Sequence, residues 1–245
     1  MFRNLVKRDL RTRYKGSVLG FLWTFVNPLL QLVVFSAIFS TVLRMNVDKY
    51  PMFLFVALLP WLFFANCTQA GTGLILNYGN LIKKIYFPRD ILPLANTTAG
   101  LINLALSFLV AFVALILFKI PLTMSLIALP LIMLIQYIFT LGFVYLLSAL
   151  NVYFRDIEHL WGIIIMAWFY LTPIVYPLDM VPVKYLEMFF YNPFTAFILA
   201  YRDILYRGIF PNFVLLLNLA AISILVLIFG YFIFKRLERG FAEAV

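Results

Sequence analysis

Charge is what this sequence has least of. Only 12% of its 245 residues are Asp, Glu, Lys or Arg, while 65% are hydrophobic. Soluble domains carry roughly 25% charged residues. A chain this apolar would not stay dissolved, so its solvent is a bilayer. Cysteine is scarce as well. Cys67 stands alone, which excludes a disulfide framework. Its place in an apolar run marks it for packing. The one histidine, His159, has Asp156 and Glu158 nearby. Two carboxylates and one imidazole on a short turn are a thin set for a metal that usually takes three or four ligands. These acids read equally as a polar helix start, favourable at the positive helix end, or as a contact point for a cytoplasmic partner.

Other absences exclude functions. No Gly-x-x-x-x-Gly-Lys-Ser/Thr loop occurs, so the chain does not bind ATP in the P-loop manner. Gly71-x-Gly73 follows no strand and lacks a third glycine, so it reads as helix packing. In the span assignment below, no membrane run contains an ionisable residue. Ion-coupled carriers usually place such groups at membrane depth, which argues against a proton-coupled carrier. An enzyme acting on lipid-linked sugars would need acids or bases set against a phosphate or glycosidic bond. The candidates Asp90, Asp156 and Glu158 lie in short turns, and no paired-carboxylate motif stands out. The length accommodates one membrane domain, 1–245, without a separate catalytic domain.

What is present is a series of uncharged runs punctuated by short polar turns. Residues 1–15 form a separate element. Phe2, Val6, Leu10 and Tyr14 recur every four residues with Leu5 beside them, and Arg3, Lys7, Arg8 and Arg11 fall elsewhere on the wheel. That pattern predicts an amphipathic basic helix lying in the headgroup plane. It is not a signal peptide: the tail contains Asp9, and the next apolar run exceeds an h-region of roughly 7–15 residues. Apolar runs at 16–43, 50–82, 91–118, 120–154, 160–178 and 212–234 are then read as six spans of about 20 residues or more. Asn27-Pro28 should loosen the first span, and Pro173 and Pro177 interrupt the fifth. The segment 179–211, rich in proline and aromatics, is too polar for a span and too apolar for a free loop. It is expected to form one or two short re-entrant helices at the membrane edge. The fold class is therefore all-α: a polytopic membrane protein with six transmembrane helices, an N-terminal interface helix and short re-entrant helices before the last span.

The stretch 80–93 carries Lys83, Lys84, Arg89 and Asp90 between two long charge-free runs. It reads as a turn outside the membrane. Pro88 supplies no amide hydrogen and biases Phe87 away from helix, so the preceding helix should stop near Tyr86. A short basic, aromatic helix of this kind is a handle for another protein. Thirteen of the 19 Lys and Arg residues fall on the side shared by the two termini, the 80–93 turn and the 155–159 turn. The positive-inside rule places that side in the cytoplasm and 179–211 outside. The net charge of +9 sits in turns and tails, so anionic membrane lipids, and not nucleic acid, are the expected partners.

Aromatic residues make up 18% of the chain. Some belong to the interfacial belts. Trp23, Phe25, Phe35 and Phe39 lie deep in the first span, and Trp161, Trp168, Phe169 and Tyr170 in the fifth. A path walled by aromatic faces, with few charges, would suit a sugar chain, whose rings stack on aromatics and whose hydroxyls meet tyrosine. For each residue separately, packing against lipid is the competing reading.

Several ordered motifs extend over nearly the whole length: Arg13-Tyr-Lys-Gly-Ser-Val-Leu-Gly-Phe-Leu-Trp-Thr-Phe-Val-Asn-Pro28, Leu59-Pro-Trp-Leu-Phe-Phe64, Leu81-Ile-Lys-Lys-Ile-Tyr-Phe-Pro-Arg-Asp-Ile-Leu-Pro93, Asn151-Val-Tyr-Phe-Arg-Asp-Ile157, Thr172-Pro-Ile-Val-Tyr176 and Asn192-Pro193. Together they resemble the membrane subunits of ABC transporters that export polysaccharides such as O-antigen, capsule and wall teichoic acid. The resemblance implies a homodimer with a path between the copies, in the bacterial cytoplasmic (inner) membrane. It implies two copies of a separate ABC ATPase subunit, which would bind ATP and magnesium, and no cofactor in this chain. Asn80, Leu81, Ile82, Lys83, Lys84, Ile85 and Tyr86 would form the coupling helix on that ATPase, with Arg155, Asp156 and Glu158 as a second contact. Trp23, Phe35, Phe39, Trp161, Trp168 and Tyr170 would line the path. The substrate would be a glycan on undecaprenyl diphosphate. Arg11, Arg13 and Lys15 would meet that diphosphate by charge pairing, or meet bulk anionic lipid. An ABC exporter of small hydrophobic molecules would share the topology.

Overall fold

In hydrocarbon every backbone N–H and C=O must find a partner within the chain, and a long charge-free run meets that demand as a helix. The computed structural model describes residues 2–12, 20–38, 47–84 and 87–244, and their regular structure is helical throughout. The helices are α1 (Phe2–Thr12), α2 (Trp23–Ser36), α3 (Tyr50–Thr72), α4 (Leu74–Asn77), α5 (Gly79–Lys84), α6 (Ile91–Leu117), α7 (Leu129–Tyr153), α8 (Ile157–Tyr170), α9 (Val183–Tyr191), α10 (Pro193–Arg202), α11 (Phe213–Leu237) and α12 (Phe241–Ala244). Four helical stretches are long and apolar enough to cross a membrane: those of α3, α6, α7 with the 3-10 turn before it, and α11. The shorter apolar helices α2 and α8, of 14 residues each, occupy the first and fifth expected spans.

α3 is the centre of the bundle. It is buried without a break from Met52 to Trp61, as expected of a helix apolar on every side. α2, α6, α7, α8 and α10 pack around it. Pro60 lies inside α3 and the helix runs through it. Gln136 of α7 donates to the Pro60 carbonyl at 2.8 Å, and Tyr201 of α10 donates to the Gln136 carboxamide oxygen at 2.7 Å. α11 turns most of its surface outward and packs chiefly on α7 through a stripe of Leu219, Ser223, Gly230 and Phe234. The two backbones nearly touch there. A Cβ placed on Gly230 would fall 2.1 Å from the Gly142 carbonyl oxygen, and one on Gly142 would fall 2.7 Å from the Val226 oxygen. Paired glycines allow this approach, a common device where two helices meet in a membrane.

Two boundaries differ from the sequence reading. The second run, 50–82, is not one helix but three, divided at Gly73 and Tyr78. The fifth run, 160–178, begins earlier at Ile157 and stops at Tyr170, ahead of Pro173. α8 therefore rises only about 21 Å, against a hydrocarbon core of about 30 Å. Turns and bends follow at 171–176, with Thr172, Pro173, Ile174 and Val175 buried. The segment 179–211 contains α9, exposed along most of its length, and α10, largely buried.

Candidate functional site

The chemistry-bearing residues gather at two places. The first is the end of the bundle that carries α5. α5 is two-faced. Ile82 is buried among Leu5, Val6, Ile75, Phe87, Phe234 and Phe241, while Asn80 and Lys83 point outward and Leu81 is half-buried. The side chain of Lys84, and Ile85 and Tyr86 entirely, lie outside the described residues. Phe87 is buried and Pro88 exposed; α6 begins at Ile91. Arg89 and Asp90 are gripped by the end of α11. The Arg89 guanidinium donates to the Glu238 carbonyl, and its amide donates to Glu238 Oε1 at 3.4 Å. Lys235 Nζ stands 3.4 Å from Asp90 Oδ2 and 2.8 Å from Glu238 Oε2. Sequence reasoning assigned no role to Lys235 or Glu238. Their only signal was a charged cluster immediately after the last apolar run.

α1 lies at the same end. Leu5 and Val6 are buried in its contact with α6, and the Arg8 guanidinium sits 4.7 Å from the centre of the Tyr78 ring. Phe2, expected on the apolar stripe, is exposed. The Arg11 side chain, and Arg13 and Lys15, lie outside the described residues. The 155–159 turn joins this end too. Arg155, Asp156, Glu158 and His159 are exposed. Asn151 accepts from the Glu158 amide at 3.2 Å, and Gln69 of α3 donates to the Glu158 carbonyl at 3.3 Å. A Cβ on Gly73 would lie 3.6 Å from Glu158 Oε2. The structure therefore brings both predicted partner-contact segments, α1 and the tail to one end. Among the described residues, no group of three or more His, Cys, Asp and Glu could hold a metal.

The second place is the far end of α8. Trp61 of α3 is the hub of an aromatic cluster. Its ring centre lies 5.0 Å from Phe194, 5.8 Å from Phe169 and 6.4 Å from Trp168. Phe169 also stacks on Phe35 of α2 at 5.8 Å, which joins the first and fifth spans. A cavity of about 250 Å³ opens between α2, α3 and α8, lined by Gln31, Phe35, Trp61, Phe169 and Tyr170 among others. A second, of about 320 Å³, lies between Trp168 and the α9–α10 junction. The predicted aromatics occupy different settings. Trp161 is buried against Phe64 and Phe143; Trp168 and Phe35 are half-buried; Tyr170 is exposed; Trp23 and Phe25 are half-buried on α2; Phe39 lies outside the described residues. Two motif residues meet here: Asn192 donates to Thr172 Oγ1 at 3.0 Å and to the Leu171 carbonyl at 3.1 Å, and accepts from Trp168 Nε1 at 2.9 Å.

Beneath this cluster lies the residue that sequence reasoning missed. Arg202, counted among the charges of a polar outer segment, is only 2% exposed. Its guanidinium donates to the carbonyls of Pro173 and Ile174 at 2.7 Å each and of Phe53 at 3.3 Å, with its carbon 3.4 Å from the centre of the Phe53 ring. The neighbouring Asp203 pairs with Arg207 at 3.0 Å. The break after α8 leaves carbonyls without helical donors, and Arg202 supplies them. The available signal was the uncharged run 193–201 immediately before it.

The described residues place a two-faced helix at one end, an aromatic cluster at the other, and a packed helix bundle between. A family model described as ABC-2 type transporter matches residues 1–206. The chain is 36% identical over 244 residues to the O-antigen export system permease protein RfbA of Myxococcus xanthus, covering 99% of this chain and 94% of that one. It is 35% identical to an RfbA of Klebsiella pneumoniae, covering 98% and 92%. It is 23% identical to the polysialic acid transport protein KpsM of Escherichia coli, covering 96% and 93%. The chain belongs to the ABC-2 type transporter family of multi-pass membrane proteins.

Proposed function

We propose that this chain is the transmembrane subunit of an ATP-driven exporter that moves an undecaprenyl-diphosphate-linked, O-antigen-like polysaccharide across the bacterial cytoplasmic membrane. Two copies form the path between them, and two copies of a separate ABC ATPase drive it. The α5 end faces the cytoplasm, and α9 and α10 face outward. The chain is a permease and hydrolyses no ATP itself. The observation that carries the reading is full-length similarity to permeases named for O-antigen export.

The geometry supplies a mechanism. The outward face of α5, with Asn80 and Lys83, seats on the ATPase, and Arg155, Asp156 and Glu158 make the second contact. Ile82 and Phe87 fix α5 in the apolar cluster, and Arg89 and Asp90 fix its exit to Lys235 and Glu238. A displacement of α5 on ATP-driven closure is thereby passed to α6 and α11. α2 and α8, in contact through Phe35 and Phe169, shift and open the path to the lipid-linked glycan. Aromatic faces such as Trp168 and Tyr170 support successive sugars without gripping any one of them. Arg11, Arg13 and Lys15 meet the lipid diphosphate at the headgroup level.

Deleting the chain in its host tests the reading. The expected result is loss of surface glycan with accumulation of lipid-linked glycan inside. Unchanged surface glycan with reduced efflux of small hydrophobic compounds would instead support an exporter of such molecules.

A further inference from the structure

Between α2, α3 and α6 lies another cavity, half-open and of about 170 Å³. Its lining is unusual for membrane depth. Asn27 and Gln31 of α2, Asn66 of α3 and Asn103 of α6 place four carboxamides around it. The buried Asn103 Oδ1 has no partner, Gln31 is half-buried, and Asn27 and Asn66 are exposed on the surface of the protomer. Leaving amides unsatisfied in hydrocarbon is costly. The lining carries no charged side chain, and Trp23 presents its indole to the same space. The cavity shares Gln31 and Leu62 with the aromatic cavity beside Phe169.

We propose that this cavity is a binding site for one neutral sugar residue of the translocating glycan. The inference rests on the reading under Proposed function. A carboxamide both donates and accepts, as a sugar hydroxyl does, and an indole face suits the apolar face of a pyranose. The absence of charge selects a neutral ligand. Depth excludes a lipid headgroup: the lining residues fall in the middle of α3 and α6. An acyl chain would leave the buried Asn103 oxygen unpaired. The volume accommodates a single ring. Gly100 packs directly against Cys67 and Phe63 on the α6 side, leaving no room for a Cβ there.

Cys67 lines the cavity but is fully buried, so Leu62→Cys, at a half-buried position of the lining and in a Cys67→Ser background, reports on occupancy. The assembled permease and ATPase are treated in native membranes with methyl methanethiosulfonate, and modification of this chain is followed by mass. Membranes from cells making no lipid-linked glycan are compared with membranes in which export is stalled by vanadate. The expected result is ready modification without glycan and about fivefold slower modification in the stalled state, as ~80% occupancy would give by mass action. Asn103→Leu should remove that protection and reduce export, with ATPase assembly retained. Equal modification in both membranes, in cells whose surface glycan depends on this chain, would show a water-filled cavity; it would overturn the site and leave the exporter reading intact. No modification in either membrane, or Asn103→Leu exporting at the wild-type rate, would also overturn it. Failure of the exporter reading shows separately, as surface glycan that is unchanged when the chain is deleted.

Discussion

At the scale of single residues, Arg202 is a buried charge with no acidic partner among the described residues. Each hydrogen bond from the Arg202 guanidinium to a carbonyl is of the charge-assisted kind, worth about 1.5–3 kcal/mol, and the Phe53 ring adds cation–π attraction. Arg202→Met keeps volume but leaves the carbonyls of Pro173 and Ile174, in the break after α8, short of donors. The expected loss is about 2–3 kcal/mol, or a melting point lowered by roughly 5–10 °C in detergent, given 2–4 °C per kcal/mol for a chain of this size. Arg202→Lys should recover only part, because an ammonium cannot reproduce the two-pronged donation to adjacent carbonyls. An unchanged melting point for Arg202→Met would remove Arg202 from the scaffold. The sequence hid this residue because its environment is made by segments far from it along the chain. Only the fold brings Phe53 and the 173–174 break onto the same guanidinium.

At the scale of elements, the apolar runs were legible and their ends were not. Among the described residues each of the six runs matches one apolar helix of 14 residues or more, because lack of charge and length together leave a chain in hydrocarbon little alternative. Pro173 correctly marked an interruption, and the actual stop three residues earlier follows from the clash of its ring with the preceding turn. Pro60 did not stop α3, which is buried without a break from Met52 to Trp61 and is held in place by packing around it. The division at Gly73 and Tyr78 carried no charge signal. Helix pairing was likewise illegible: Gly142 and Gly230 are far apart in sequence, yet they set the distance between α7 and α11. Gly230→Ala should cost about 2–3 kcal/mol, at the upper range for overpacking, because the obstacle is backbone that cannot rotate away. The measurement is the yield and thermal stability of the folded variant. A wild-type melting point would mean that the two helices are not held at this distance.

At the scale of the whole molecule, the bundle has a polar end around α5 and an aromatic cluster at the far end of α8, which we read as the ATPase contact and part of the path. The sequence pattern located the polar end through the basic stretch 80–93, but the brace from Lys235 and Glu238 became visible only with the fold. Of the aromatic residues, composition could name candidates and could not sort Trp161, buried within the chain, from Tyr170, exposed on its surface. The central claim is that α5 is where the ATPase acts. The most direct measurement is site-directed cross-linking in a Cys67→Ser background, with Asn80→Cys or Lys83→Cys on the outward face of α5 and Val183→Cys on α9 as the control. The account predicts a cross-link to the co-expressed ATPase subunit from both α5 positions and none from α9. Cross-linking absent from α5 while the complex still assembles and hydrolyses ATP would contradict it.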